Sequence, residues 1–460
     1  MPTDLTNIDP ARAWAPYEPD AQRPWTRALA AHLYRRAGFG ATSAELDAAV
    51  KAGYEATLDQ LCNPPASPNA AEFEQSVAVL AERTAAANGP QQLPAWWLFR
   101  MQGTPDPLLE KLTLFWHGHF ATSAAKVEKP RLMLAQNQLL RAHARGRFED
   151  MVKAISRDPA MLVYLDSTSN RRIRPNENYA RELMELFCLG VGNYTEKDIK
   201  EVARAFTGWE LRADQFAFNH IQHDTGTKSF LGGSGAFDGD DAIRVILAQP
   251  AAPRFIARKL VRFFAFDEPA APDALVEPLA QELRKNDFQI APAVRRLLGS
   301  NLFFSDASVG RKVKSPVELC VGLLRALGAT TNLLKAAQGL SELGQALFYP
   351  PNVKGWDGGR AWVNSSTVLG RANFVRRTLL ANETRFQHGG LAGLLASAGA
   401  TSPEATVDWL LDVLVAVPVP PEARATLVGL VKGRDGPGER DRALTDVVHA
   451  ISTLPEFQLT

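Results

Sequence analysis

Two close pairs of histidines are the residues of this chain best suited to binding a metal ion. The chain has eight histidines, and four of them form the pairs His117/His119 and His220/His223. Imidazoles combined with carboxylates suit zinc, iron or manganese. The two rings of an H-x-H pair face the same way only in extended backbone. Because Gly118 separates the first pair, we expect this segment to leave its helix and present both rings to one metal ion.

A segment rich in carboxylates follows these histidines. Residues 174–190, RPNENYARELMELFCLG, predict one amphipathic helix with Pro175 in its first turn and Gly190 just past its end. Its apolar side chains fall on one side, and the opposite arc carries Glu177, Arg181, Glu182 and Glu185. Glu182 and Glu185 are i,i+3 neighbours, about 5–6 Å apart at Cβ. This acidic face is either the wall of a site or a solvated surface whose charges pair with one another.

Basic residues precede the acidic helix. From Lys126 to Arg174 the chain has 11 lysines and arginines but five acidic residues. We expect Arg172 and Arg174 to bind a phosphate, sulfate or carboxylate group of a substrate. The alternative is a basic surface loop that neutralises the neighbouring helix. Nucleic acid is not expected, since no aromatic residues are interleaved with these charges.

A loop over residues 349–364 carries two tryptophans, Trp356 and Trp362, in a frame of prolines and glycines. Tryptophans on such a loop either stack against a sugar or another flat ligand, or serve as buried anchors that hold the loop in place. Both interpretations stay open.

The remaining pattern predicts a mainly α-helical fold. Amphipathic segments recur along the chain and are interrupted by two long irregular stretches, about 208–239 and 348–366, the first of which could contain a small β element. Thr195 and Asp198 form a capping box for a helix over 196–207, which would pair with the acidic helix as a hairpin. We expect a flexible leader over 1–24, a main helical domain over 25–375 and a C-terminal helical segment over 376–460 packed on it.

Composition is that of an ordinary globular protein, with 46% hydrophobic and 22% charged residues and a net charge of +1. Three distant cysteines indicate isolated thiols and a reducing compartment. The N-terminus lacks a signal-peptide pattern, and no apolar stretch is long enough to span a bilayer, so we expect a cytoplasmic protein. Walker, G-x-S-x-G, H-E-x-x-H and Rossmann motifs are missing from the sequence.

Five motifs occur in the order typical of one bacterial family. They are FWHGHFA at 115–121, PNENYAREL at 175–183, AFTGW at 205–209, His223-Asp224 with Lys228, and PPNVKGW at 350–356. In these motifs the chain resembles the family catalogued as domain of unknown function 1800, from about His32 to Phe374. Gly118 stands where members of that family commonly have asparagine.

This resemblance implies a partner and a location but no reaction. Members are often exported and are encoded beside a sulfatase-like partner family, so the resemblance implies a sulfatase-like partner and export as an alternative to the cytoplasm. No settled activity can be transferred from the family.

The leading hypothesis is a metal-dependent enzyme, hydrolytic or oxidative. In it His117, His119 and His223 bind the metal, Glu182, Glu185 or Asp224 is a carboxylate ligand or general base, and Arg181 and Lys228 orient an anionic group or the carboxylates. The alternative is a non-catalytic binding or assembly protein whose polar motifs form a buried network and whose tryptophan loop binds carbohydrate or a partner. The enzyme hypothesis requires His117, His119, His223 and Glu182 in one pocket.

Overall fold

A computed structural model describes residues 5–434, 436 and 438–460 of the chain. Within these residues it contains 24 α-helices and three two-stranded antiparallel sheets, which confirms the predicted mainly α-helical fold. No helix in the described part of the chain is both long and apolar enough to cross a lipid bilayer.

The first half of the chain contains α1 to α13. These are α1 (Pro10–Trp14), α2 (Arg27–Ala37), α3 (Ser43–Ala52), α4 (Tyr54–Cys62), α5 (Pro68–Ala85), α6 (Leu93–Gly103), α7 (Pro107–His119), α8 (Ala124–Val127), α9 (Pro130–His143), α10 (Phe148–Ser156), α11 (Pro159–Tyr164), α12 (Asn178–Glu182) and α13 (Glu196–Ala205). A π-helix over Leu183–Cys188 continues α12 directly.

The second half contains α14 to α24. These are α14 (Gly239–Leu247), α15 (Ala251–Phe264), α16 (Asp273–Lys285), α17 (Ile290–Leu298), α18 (Pro316–Ala326), α19 (Leu333–Glu342), α20 (Ser365–Leu380), α21 (Leu391–Ser397), α22 (Pro403–Leu414), α23 (Pro421–Val431) and α24 (Glu439–Thr453). The predicted domain boundary at residue 375 falls inside α20.

The strands form short hairpins between helices. Strands β1 (Trp209–Arg212) and β2 (Gln215–Phe218) pair with each other, as do β3 (Lys228–Phe230) and β4 (Gly233–Gly235), and β5 (Ala329–Thr330) pairs with β6 (Arg385–Phe386). The first two hairpins lie in the irregular stretch 208–239, where a small β element was expected.

Helix α7 lies between two hydrophobic clusters. Leu112 and Phe115 belong to the first cluster, which α15, α16 and α17 help to build, whereas Leu114 belongs to the second, which includes α18 and the C-terminal helices. Side chains on both sides of α7 are therefore buried, and its last turn ends where α15 and α18 approach it.

The segment predicted as a flexible leader contains α1 and packs on the first cluster over its described part, residues 5–24, while residues 1–4 lie outside the described part. Asp9 caps α1 by accepting the N–H of Ala11. Trp14 and Tyr17 are buried, and the Trp14 indole donates to the carbonyl of Leu275, 2.8 Å away. Burial of these two aromatic rings gives the leader enough apolar contact to fold onto the first cluster.

The acidic segment is also shorter and less regular than predicted. Its helix begins at Asn178, after Pro175, and changes to a π-helix at Leu183. The N–H groups of Leu189 and Gly190 both donate to the carbonyl of Met184, which gives the wider last turn. Gly190, with φ +82°, follows the helix end as predicted. Capping of α13 by Thr195 and Asp198 is confirmed.

The expected extended H-x-H turn is wrong, because α7 continues to His119. A glycine inside a helix costs only about 1 kcal/mol relative to alanine, and the packing of α7 against both hydrophobic clusters outweighs that preference. Two residues along a helix differ by about 200° in direction, so His117 and His119 face different neighbours.

Candidate functional site

A pocket of about 210 Å³ lies between the end of α7, helices α15 and α18, and the loop over residues 348–366, here called the tryptophan loop. Its apolar wall is mainly aromatic and includes Phe115, Phe263, Trp356 and Trp362. Its polar wall includes His119, Lys259, Asp267, Lys312, Glu318 and Gln345. We call this cavity the loop pocket. An aromatic wall with a few converging polar groups is typical of a small-molecule site.

Lys259 and His119 are hydrogen-bonded to each other in this wall. The Lys259 ammonium donates to His119 Nδ1 at 3.0 Å and to the carbonyl of Leu186 at 2.9 Å. Because Nδ1 accepts, the proton of the neutral imidazole is on Nε2, which donates to the carbonyl of Phe187 at 3.0 Å. Both carbonyls belong to the π-helix. The irregular turn at the end of the acidic segment therefore positions this pair.

Burial sets the protonation of the pair. Desolvation lowers the pKa of Lys259 to about 7, so this amine changes protonation state near neutral pH. Burial, and next the charge of Lys259, holds the pKa of His119 well below its ordinary value. His119 is therefore a neutral acceptor, and Lys259 is the group of the pair that titrates near neutrality.

Ion pairs form the base of the loop pocket. Lys312 and Asp267 are 3.3 Å apart and each side chain is 7% exposed, while Lys111 and Glu318 are 2.5 Å apart. Burial lowers the pKa of Lys111 to about 8, against the opposing effect of Glu318. Burial alone would raise the pKa of Glu318, but the charges of Lys111 and Lys312 and the hydrogen bonds to the carboxylate together outweigh it and hold that pKa well below its usual range.

The tryptophan loop is fastened to α7. The Phe348 N–H donates to His117 Nε2 at 3.1 Å, and the Trp356 ring lies 5.7 Å from the His117 ring. Gly355 has φ +83°, and a Cβ there would lie 2.4 Å from the carbonyl oxygen of Gly118. Burial lowers the pKa of His117 to about 3, so this imidazole stays neutral. His117 thus anchors the loop.

The acidic face of α12 lies outside the loop pocket. Arg181 pairs with Glu177 at 3.2 Å, as the i,i+4 spacing predicts, and with Glu196 of α13 at 2.8 Å. Glu185 accepts a hydrogen bond from the Tyr194 hydroxyl. Burial, then the charge of Glu185, raises the pKa of Glu182. The Arg181–Glu196 pair connects α12 to α13, and none of these side chains lines the loop pocket.

A second group of predicted residues stabilises the segment after β2. Lys228 is fully buried and its ammonium donates to the carbonyls of Asp224 and Gly226, at 2.5 and 3.2 Å. The Asp224 carboxylate accepts from Arg204, which lowers its pKa. His223 Nδ1 donates to the carbonyl of Thr207 at 2.9 Å. Lys228, Asp224 and His223 therefore stabilise this irregular segment through their hydrogen bonds.

Arg172 and Arg174 are exposed on a turn closed by a bridge between Arg171 and Arg174. Neither arginine lines the loop pocket, and no other residue of this turn does. Of the substrate-binding residues predicted from sequence, only Trp356 and Trp362 lie in that pocket.

Comparison with known proteins gives a family and nothing further. Residues 32–459 match the family model described as a protein of unknown function, DUF1800. The chain belongs to this family. No curated protein and no solved structure matches it. The match covers nearly the whole chain and extends well past Phe374, where the resemblance in sequence motifs ended.

The motifs of this DUF1800 member separate into two places. FWHGHFA and PPNVKGW, residues 115–121 and 350–356, meet at the loop pocket through Gly118 and Gly355. The motifs over 175–183, 205–209 and 223–228 lie in or next to α12 and α13. The π-helix connects the two places, because its carbonyl groups accept hydrogen bonds from His119 and Lys259.

The residues required in one pocket by the metal hypothesis are spread over three places. Only His119 lines the loop pocket, while His117 lies behind Trp356, and His223 and Glu182 lie elsewhere. Among the residues that the structure describes, no group of three or more His, Cys, Asp or Glu side chains is placed to hold a metal ion.

Sequence reasoning missed the polar residues of the loop pocket: Lys259, Asp267, Lys312, Glu318 and Gln345. One signal was present in α15. Lys259 lies four residues from both Phe255 and Phe263, so this lysine shares an aromatic stripe of its helix. Its ammonium lies 4.7 Å from the centre of the Phe255 ring.

Proposed function

We propose that this protein is an enzyme whose active site is the loop pocket and whose acid–base group is Lys259. The observation that carries the proposal is the hydrogen bond between Lys259 and His119 in the wall of an aromatic-lined cavity. A general acid–base works best when its pKa lies near the working pH, and burial places Lys259 there.

The hydrogen bonds of Lys259 leave it free to exchange a proton with a substrate. An unprotonated amine has two N–H groups, and these match its two acceptors, the Leu186 carbonyl and His119 Nδ1. Its lone pair then remains to take a proton from a substrate in the loop pocket. Once protonated, the amine has a third N–H to return.

The test requires no known substrate. NMR titration of protein labelled at lysine Cε, with Lys259→Met to assign the signal, should give a midpoint near pH 7 for Lys259. A Lys259 midpoint close to the ordinary lysine value of about 10.4 would contradict the proposal.

A separate hypothesis, based on the two histidine pairs, is that the protein depends on a metal ion. It predicts zinc, iron or manganese in protein purified without a histidine tag, and loss of that metal in His117→Ala. Elemental analysis that finds no transition metal, together with equal metal uptake by the variant, would contradict it. The acid–base proposal does not depend on the result.

Non-catalytic binding is the second candidate, and it is favoured by the presence of Trp356 and Trp362 in the pocket wall. Ligand or partner binding that survives Lys259→Met, Glu182→Ala and His223→Ala would support this candidate against an enzyme.

A sulfatase-like partner and export from the cell are two hypotheses that rest on the family resemblance alone. Co-purification of the protein from separated cell fractions tests both.

A further inference from the structure

We propose that the loop pocket binds a single polyhydroxylated ring, such as a monosaccharide unit, which hydrogen-bonds to Asp267 Oδ2 and stacks on Trp356. This inference rests on the proposed function in using the same pocket, but it does not depend on the protonation of Lys259.

Asp267 provides the strongest argument. Its side chain is 7% exposed and its Oδ1 accepts from Lys312 at 3.3 Å. Its Oδ2 is buried and has no hydrogen-bond partner among the described residues. A buried acceptor without a donor costs about 1–3 kcal/mol. No other side chain of the pocket wall has such an atom, so Asp267 is the residue of the wall with an acceptor still to be satisfied.

Gln345 supplies the complementary donor. The side chain is buried, and its Oε1 accepts the N–H of Val317 at 2.9 Å. That contact fixes which end of the amide is the oxygen. The Nε2 group makes no hydrogen bond within the described part of the chain, so it can donate to a ligand. A hydroxyl both donates and accepts, and therefore satisfies Asp267 and Gln345 equally well.

Three cations around the end of the pocket near Asp267 and Trp356 already have partners. Lys312 pairs with Asp267, Lys354 with Asp357 at 3.0 Å, and the Arg262 guanidinium donates to the Asp357 carbonyl. An anionic ligand at any of these three would have to break one of these contacts. A cationic ligand at Asp267 would meet Lys312 beside it. This end of the pocket therefore favours a neutral ligand that carries hydroxyl groups.

The aromatic wall and the volume limit the shape of that ligand. Trp356 is half-buried, with His117 against its ring, and Phe115 and Phe263 lie 5.1 Å apart in the same wall. Flat rings of this kind bind the apolar face of a ring whose edges are polar. A cavity of about 210 Å³ is smaller than the usual site for a drug-sized molecule, which fits one ring and no extended chain.

Gly118 allows the pocket to be blocked without disturbing the fold. It lines the cavity, and a Cβ added there would meet no atom within 4 Å. Gly118→Asn should therefore place its amide in the ligand space. Trp356→Ala removes the stacking ring, and Asp267→Asn replaces the free acceptor with a donor. Trp409→Ala, a half-buried tryptophan on α22, is the matched control.

Isothermal titration with methyl glycosides of glucose, galactose, mannose and N-acetylglucosamine at millimolar concentration tests the inference. At least one should bind the wild type and Trp409→Ala equally. Gly118→Asn and Trp356→Ala should each weaken that glycoside tenfold or more at unchanged melting temperature. Asp267→Asn should weaken it as much and also lower the melting temperature, because the buried Lys312 loses its charged partner. If Trp356→Ala also loses stability, Gly118→Asn decides.

Three results would overturn the inference. They are no binding of any methyl glycoside by the wild type, binding that Gly118→Asn and Trp356→Ala leave unchanged, and stronger binding of choline or inorganic phosphate than of every glycoside. Failure of the proposed function is separate, because it is read from the Lys259 titration. Glycoside binding with a Lys259 midpoint near 10 would keep this inference and remove the acid–base proposal.

Discussion

The base of the loop pocket and the acidic face of α12 both consist of lysines or arginines paired with carboxylates, but their surroundings differ. Lys111 and Glu318 are almost completely buried, whereas Arg181 and its partner Glu196 have 35% and 70% of their side chains exposed. Water competes with the second pair and is excluded from the first. Similar charges therefore have different importance for stability in the two regions.

The two regions also differ in how clearly the amino-acid sequence indicates them. The acidic face concentrates charged residues within one short segment and so attracts attention as a site. The loop pocket takes single residues from segments far apart in the chain. The cavity with an aromatic wall and converging polar groups is in the second region, and its residues are too far apart in the chain for a local pattern to link them.

Lys111→Met should have the largest effect, a loss of about 3–5 kcal/mol in the free energy of unfolding, because it leaves the buried Glu318 carboxylate without its main partner. Urea denaturation measures it. The double variant Lys111→Met/Glu318→Gln is the control and should recover part of the loss. A loss below about 1 kcal/mol for the single variant would remove the distinction between the two regions.

Gly355→Ala should cost about 2–4 kcal/mol, combining a positive φ with a clash against the Gly118 carbonyl. Gly232→Ala is matched to it, since Gly232 has φ +81° but open space around its Cβ position. The excess cost at Gly355 measures the contact between the tryptophan loop and α7. Equal costs at the two positions would show that this contact does not hold the loop.

Lys259→Met should change the pH dependence of stability. The pKa of Lys259 is about 7 in the folded protein and about 10.4 in the unfolded chain. Between these two pKa values the unfolded chain binds more protons than the folded protein, so the free energy of unfolding rises with pH. Below pH 7 the amine is protonated in both states, and this contribution is constant. Urea denaturation at pH 6 and pH 9 should show a larger rise for wild type than for Lys259→Met. Equal rises would contradict a lowered pKa.

Gly118→Ala should stabilise the protein by about 0.5–1 kcal/mol. Alanine is the better helix former, and its methyl group would enter open space at the edge of the loop pocket. Thermal unfolding measures the gain. Destabilisation would mean that the last turn of α7 needs the glycine, and would then rule out Gly118→Asn as a simple block of the pocket.

The parts of the fold that sequence predicted well depend on local interactions. The capping box of Thr195 and Asp198, the glycine at the end of the acidic helix, and the β hairpins in 208–239 all follow from residues close together in the chain. The family motifs include the tryptophan loop and the end of α7, two segments that meet at the loop pocket.

The errors have a tertiary cause. Gly118 was expected to end α7, but burial on both sides of that helix keeps it helical. The π-helix differs from an α-helix by one residue in a single turn, which a 3.6-residue pattern cannot resolve over so short a segment. Lys259 is 140 residues from His119, and only the packing of α15 on α7 brings them together.

Arg181→Ala should have the smallest effect, within about 0.5 kcal/mol of wild type, because its partners Glu177 and Glu196 are partly or largely exposed. Urea denaturation at low and at high salt measures it, and the small difference from wild type should shrink further as salt screens the pair. Tyr194→Phe, which removes the hydrogen bond to Glu185 on the same face, is the companion variant. A loss above about 1.5 kcal/mol for Arg181→Ala, insensitive to salt, would mean that the acidic face is a desolvated network like the base of the loop pocket. The contrast between the regions would then fail, and Glu182 and Glu185 would again be candidates for a site.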